Sequence, residues 1–267
     1  MLKYPKIETL FVRDDKHKVT SQLRINDFDN IKNCIITEKI NGTNAQIVLS
    51  INYDTLDVKV RFCSRENEIE RKDIMFIADT CCKKLKLDKI AEFYHNEIAL
   101  NQKEAVIKDN ATELRLYGEV YGDRINEGGI YCGKGIRDFR LFDIQIGSHF
   151  ASYDNLCAIA ERLEIKVVPI IYEGPILDLL EYEKLKGFLE NFKTRIIGEG
   201  GTGGLAEGIV VRPEPLLLNR FGERIIIKIK RSDFTYEVKK EVQLTIDEIN
   251  PEDIDRRDGV HKEESNG

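Results

Sequence analysis

The 267-residue sequence has no tryptophan, two methionines and six prolines. It has no run of 18 or more apolar residues, so no segment is long enough for a membrane-spanning helix. Its opening stretch, MLKYPKIETLFVRDDKHK, lacks the apolar core of a secretory signal, and a cytoplasmic location is expected. None of the six cysteines (Cys34, Cys63, Cys81, Cys82, Cys132, Cys157) forms a CxxC pair. The four histidines (His17, His95, His149, His261) lie far from them in sequence. This spacing argues against a structural zinc site, and most of the cysteines are expected to be small buried hydrophobes. A basic charge balance is missing too. The net charge is −6, but residues 241–267 hold nine acidic and three basic side chains, which leaves 38 of each sign in residues 1–240. The body is neutral, so any surface that grips an acidic polymer must be local.

Segments rich in β-branched residues recur at 34–40, 44–51, 57–64, 113–120, 139–146, 167–173, 208–212 and 224–230. Helical patterns fall between them. Residues 71–108 predict one or two helices, and 176–193 another. Residues 152–163 place Leu156, Ile159, Ala160 and Leu163 on one face, with Ser152 or Asp154 as N-cap. Grouped strands with inserted helices predict an α+β fold of mainly antiparallel sheets. Residues 1–240 are read as one catalytic domain. Residues 241–267 are read as an acidic tail, a short helix followed by disorder. Two glycine-rich stretches, 198–204 and 132–135, lack the Gly-Lys-Ser/Thr ending of a phosphate loop and are read as flexible loops.

Five short patterns follow one another in order. TEKINGTN (37–44) sets Lys39 at the end of a β run with Gly42 three residues later, where the backbone can turn tightly beneath a bulky group. Tyr117, Gly118 and Glu119 lie on a predicted strand, and DFRLFD (138–143) on the next. AEGIVVRP (206–213) offers Glu207 at a strand start. In IKIK (227–230) the period of two puts Lys228 and Lys230 on one face and Ile227 and Ile229 on the other, which suits a groove for polyphosphate. Taken alone, such a strand equally fits an exposed edge whose lysines deter aggregation.

Together these patterns resemble the covalent nucleotidyltransferase superfamily of ligases and capping enzymes, across residues 32–236. The wording is most similar to the type 2 RNA ligases, the group that includes double-strand and RNA-editing ligases. Asn41 departs from it, standing where many relatives are expected to carry histidine. The resemblance implies ATP-dependent joining of an RNA 5′-phosphate to a 3′-hydroxyl through lysyl-AMP and RNA-adenylate intermediates. It implies Lys39 as nucleophile, Arg65 on phosphate, Glu119 on the ribose and Phe142 stacked on adenine. Glu207, with Glu119, would hold Mg²⁺ (or Mn²⁺), and Lys228 and Lys230 would hold the α-phosphate. Glu38 and Asn44 would contact the base and the RNA end.

The chemistry needs these residue types. A free lysine, with pKa near ~10.4, is mostly protonated and not nucleophilic. Cations nearby disfavour its ammonium form and also stabilise the charge that grows in the transition state. Only about thirty residues follow the IKIK strand, too few for an OB-fold, so a catalytic domain without one is expected. RNA grip then falls to the core itself, to a homodimer or to an auxiliary RNA-binding partner. Nicked or structured RNA is the expected substrate. Two other readings stay open here: a nucleotide-binding regulator without sealing activity, and a ligase acting on DNA or RNA–DNA hybrid ends.

Overall fold

The computed structural model describes residues 3–16, 19–24, 31–52, 54–65, 68–69, 75–100, 112–175 and 180–234. The expected acidic tail lies outside the described residues.

Two five-stranded sheets carry the fold. The first has the order β1 (Glu8–Thr9), β12 (Ile227–Lys230), β11 (Gly208–Pro213), β4 (Asn33–Lys39) and β10 (Ile170–Pro175). Its pairs are antiparallel except for the short β1, which runs parallel to β12. The second has the order β6 (Val58–Cys63), β5 (Thr43–Ile51), β7 (Leu114–Gly122), β8 (Arg137–Ile146) and β9 (His149–Phe150), and its pairs are all antiparallel. A two-stranded ribbon, β2 (Phe11–Arg13) with β3 (Val19–Leu23), stands apart.

Each of the eight segments with strand-like composition holds a strand; seven of these bury at least one residue, and β10 packs Ile171 and Tyr172, partly buried, against the core of the first sheet. In the first sheet, Cys34, Ile36, Ile209, Val211, Ile227 and Ile229 point into one core, against Leu185 and Leu189 of α4 (Tyr182–Asn191). The opposite face carries Thr37, Lys39, Val210, Arg212, Lys228 and Lys230 into a cleft. The second sheet buries Ile47, Leu49, Leu114, Leu116 and Ile144 under α1 (Met75–Lys84), α2 (Leu87–Phe93), a π-helical turn (Tyr94–Ala99) and α3 (Tyr153–Leu163). Ser152 caps α3: its side chain accepts from the Asn155 N–H, which leaves Leu156, Ala160 and Leu163 buried as their spacing requires.

β12 lies between β1 and β11, so Lys228 and Lys230 project from an inner strand, which corrects the edge-strand alternative. The glycine-rich stretches are loops that pack on one another. Gly133 N–H donates to Glu199 O (2.8 Å) and Gly198 N–H to Tyr131 O (2.7 Å).

Candidate active site

The cleft, of about 400 Å³, opens where β4 runs into β5. That connection is TEKINGTN. Gly42 has no room for a side chain: a Cβ there would lie 2.4 Å from Val120 O and 2.7 Å from Glu119 Cγ. The glycine is needed for close approach to β7, and this brings Glu119 beside the end of β4. The turn is tied down twice more. Asn41 N–H donates to the Tyr131 hydroxyl (2.9 Å), and Asn126 Nδ2 donates to Gly42 O (2.8 Å).

Lys39 Nζ forms an ion pair with Glu207 Oε2, and Lys230 Nζ reaches Glu207 Oε1 at 2.8 Å. One carboxylate thus bridges the ends of β4 and β12. Register explains it, since Gly208, the residue after Glu207, pairs with Lys39 on one side and with Lys230 on the other. Lys228 lines the same wall. Burial, followed by the charges of Lys230, Lys39 and Arg65, pushes its ammonium below the ordinary lysine value. Arg65 sits exposed at the rim. The turn that carries it is fixed by Gln46, whose Nε2 donates to Ser64 O (2.7 Å) and Arg65 O (3.2 Å).

The facing wall belongs to the second sheet. Glu119 accepts from the Gly42 N–H, and burial raises its carboxyl to about 7, with Glu207 adding to the rise and Lys39 opposing it. Its neighbour across β5 is Asn44, whose Oδ1 is buried without a hydrogen-bond partner among the described residues. Phe142 enters the cleft through a bulge. Tyr117 pairs with Asp143 and Gly118 with Leu141, so Phe142 is the extra residue of β8. The bulge breaks the alternation: Phe139, Leu141 and Ile144 share one core, while Phe142 and Asp143 both meet Tyr4.

Tyr4 carries no sequence signal. The Tyr4 ring stands edge-on to Phe142 (5.3 Å), and its hydroxyl donates to Asp143 Oδ2 (2.8 Å). Arg224 pairs with the same oxygen at 2.6 Å. Glu38 is likewise held from afar: its carboxylate accepts from the Thr194 hydroxyl and from the Arg195 N–H (2.8 Å). Arg212, which falls in the AEGIVVRP pattern without a role read from it, lines the cleft and holds Phe142 O with both Nη atoms (3.3 Å each).

All nine residues singled out from the sequence therefore meet at this cleft. Lys39, Lys228, Lys230, Arg65, Glu38, Asn44, Glu119 and Phe142 line it, and Glu207 braces its lysines. Glu119 and Glu207 are the donors available to a metal, and no cluster of three or more His, Cys, Asp or Glu occurs among the described residues. Two carboxylates that repel each other beside a group of lysines fit Mg²⁺ or Mn²⁺, ions that keep several waters and take their remaining oxygens from phosphate.

The raised Glu119 carboxyl has a consequence for stability. Its folded pKa of about 7 exceeds the ordinary 4.5, so the fold favours the neutral acid. Below pH 4.5 the burial costs nothing. The cost grows as pH rises toward 7 and is complete above it, on the order of a few kcal/mol. Glu119→Gln keeps an acceptor for Gly42 and removes the charge. In metal-free buffer it is expected to unfold at higher urea than wild type at pH 8 and at the same urea at pH 4.5. An equal difference at both pH values would show that the charge is not the cause.

An α+β nucleotidyltransferase fold, with a lysine, two carboxylates and further lysines around one cleft, defines the class of protein. The sequence matches the RNA ligase family over residues 32–230, and the chain belongs to that family. Solved structures share the fold. A mutant of the Naegleria gruberi RNA ligase, without ligand, is similar at 16% identity with a TM-score of 0.57, across 89% of this chain and 60% of that one. Another mutant of it, solved with ATP and Mn, is similar at 16% identity and TM-score 0.54, across 88% and 62%. An archaeal ATP-dependent RNA ligase is similar at 14% and 0.53, across 86% and 48%. The chain thus spans less than two thirds of the length of these proteins. No curated protein matches it. Among the described residues no helix is long and apolar enough to cross a membrane.

Proposed function

We propose that this chain is an ATP-dependent RNA ligase that seals a 5′-phosphate to a 3′-hydroxyl, with Lys39 as the residue that carries AMP. One observation supports this above the rest: Lys39, Glu119, Glu207, Lys228 and Lys230, spread over most of the sequence, converge on one cleft as a nucleophile, two carboxylates and two phosphate-binding cations.

The Lys39 nitrogen attacks the α-phosphorus of ATP. The N–P bond forms as the bond to pyrophosphate breaks. Glu207 pairs with Lys39 in the free protein, and the ammonium must first give a proton to that carboxylate or to solvent, which leaves the lone pair that attacks. Lys228 and Lys230 face the oxygens that gain charge in the transition state and stabilise it more than the ground state. Mg²⁺ or Mn²⁺ held by Glu119 and Glu207 would neutralise phosphate charge there. Arg65 and Asn44, toward the rim, are suited to the RNA 5′-phosphate. In the later steps that phosphate takes AMP from Lys39, and the 3′-hydroxyl then displaces AMP. The test is incubation with α-labelled ATP, followed by 5′-phosphorylated RNA offered single-stranded and as a nick in a duplex. Absence of both a labelled protein and a sealed product would overturn the reading.

The base pocket favours adenine. Phe142 offers a face for stacking, which tolerates any base. Burial raises the Glu38 carboxyl, while hydrogen bonds from Thr194 and Arg195 oppose the rise and fix it; in its ionised form it is acceptor-only, and each oxygen keeps a second acceptor site. The 6-amino group of adenine can donate to it, whereas the 6-oxygen of guanine cannot. ATP is therefore expected to label Lys39 far more efficiently than GTP, since buried polar groups reject an analogue that leaves them unpaired. Equal labelling by the two nucleotides would contradict this use of Glu38.

A further inference from the structure

A hairpin joins β11 to β12. Its stem is closed by the Leu218–Arg224 bridge and by Ile225 N–H donating to Leu217 O (2.9 Å). Its tip is built to hold one shape. Asn219 N–H donates to Glu223 O (2.8 Å), and Gly222 N–H to Asn219 O (3.0 Å). The Asn219 side chain accepts from the Phe221 and Glu223 N–H groups, at 2.9 and 3.0 Å, and its Nδ2 donates to Glu223 Oε2 (2.9 Å). Gly222 takes a left-handed conformation (φ 78°), which favours glycine. This bonded turn presents Phe221 at 71% exposure, the highest of any large hydrophobic side chain described, with the Arg220 guanidinium 4.7 Å from its ring centre. A rigid turn whose hydrogen bonds all serve to hold an aromatic ring in water suits a ligand with a flat face.

The hairpin is also coupled to the reaction cleft. At its stem, Arg224 pairs with Asp143, next to Phe142. Between hairpin and N-terminal segment lies a groove of about 750 Å³, and Pro5 and Ile7 line both this groove and the nucleotide cleft. Its lining sets Lys6 and Arg224 against Glu8 and Glu223, so it carries no excess of positive charge. Stacking, not charge, is what the tip offers. We infer that Phe221, backed by Arg220, is a stacking platform for an unpaired base of the RNA, a few nucleotides from the end being sealed. An aromatic ring with an adjacent guanidinium is the surface that takes up splayed-out bases. The inference rests on the RNA-sealing reading above.

Direct binding of 5′-phosphorylated RNA with an unpaired overhang, at two salt concentrations, tests it. Phe221→Ala is expected to weaken binding about ten- to a hundredfold, the usual effect of removing one base-stacking ring. The slope of affinity against salt should stay the same, because no phosphate contact is lost. Phe221→Trp should restore affinity and Phe221→Leu should not. Label transfer from ATP to Lys39 serves as the control for an intact fold. Unchanged binding by Phe221→Ala, or full rescue by leucine, overturns the proposal. So does an alanine variant that binds RNA normally but turns wild-type dimers into monomers on sedimentation, since the tip would then contact protein. A wild type that neither takes label nor seals RNA would instead overturn the ligase reading itself.

Discussion

Lys39→Ala protein is expected to take no covalent label from α-labelled ATP while unfolding at nearly the wild-type temperature. The loss is complete because no other amine among the described residues is placed to attack: Lys230 is held on the far oxygen of Glu207, and Lys228, on the same strand, has β11 between it and β4. The fold survives because Lys39 is a strand-end side chain, partly exposed, whose one ion pair is with Glu207. Without it Glu207 keeps Lys230, and a partly exposed pair contributes at most about 1 kcal/mol. Lys39→Arg sharpens the test. Arginine can keep the contact with Glu207 but has no free amine to form the bond. Both variants should be inert in labelling, and the arginine variant should match wild type in stability. Label at wild-type intensity on either one would sink the assignment.

Lys228→Ala and Lys230→Ala should each slow lysine adenylylation by about 10²–10³, the usual loss when one charged donor to a developing oxyanion is removed. The two variants should differ in what they leave behind. Lys230→Ala strips Glu207 of one of its two cations, so the remaining lysine holds the carboxylate alone. Lys228→Ala leaves that bridge intact and removes a side chain whose ammonium is already disfavoured by burial and by its positive neighbours. Asn44 should behave in the opposite sense. Its side-chain oxygen is unpaired among the described residues, sits beside Glu119 across the strand pair and takes no part in the Glu207 bridge. Asn44→Ala should spare adenylylation and slow sealing of RNA that already carries 5′-AMP. Single-turnover rates for each step decide it, and wild-type sealing of pre-adenylylated RNA by Asn44→Ala would refute the division.

The longer strands were legible in the sequence because each leaves a local mark. β4, β5, β7 and β8 are runs of seven to ten residues with buried apolar positions, and IKIK alternates cleanly. β1, β2 and β9 are two or three residues long, too short for any periodicity to register. The bulge at Phe142 is equally silent, since it exists only as a mismatch with β7. Motif order picked out nine residues that share one cleft, but their supports are long-range. Tyr4 reaches Asp143 across 139 positions, and Thr194 reaches Glu38 across 156. A tyrosine near the start of a chain, or a threonine after a helix, says nothing by itself. Their roles come from packing that the topology creates.

The two walls of the cleft come from different sheets. Lys39, Glu207, Lys228 and Lys230 ride on or beside the strands of the first, while Glu119, Phe142, Asn44 and Arg65 ride on or beside those of the second. The chain crosses from one to the other at Ile40, Asn41 and Gly42, directly after Lys39. A nucleotide seated with its base on Phe142 and its phosphates on the lysines is therefore a strut between two plates. Any slip of one plate against the other would move the α-phosphorus relative to Lys39 without altering a single contact inside either sheet. Mutations that loosen the Tyr4–Asp143–Arg224 junction should accordingly act as errors of alignment, felt at the reacting atoms even though none of those three side chains carries the bond that forms.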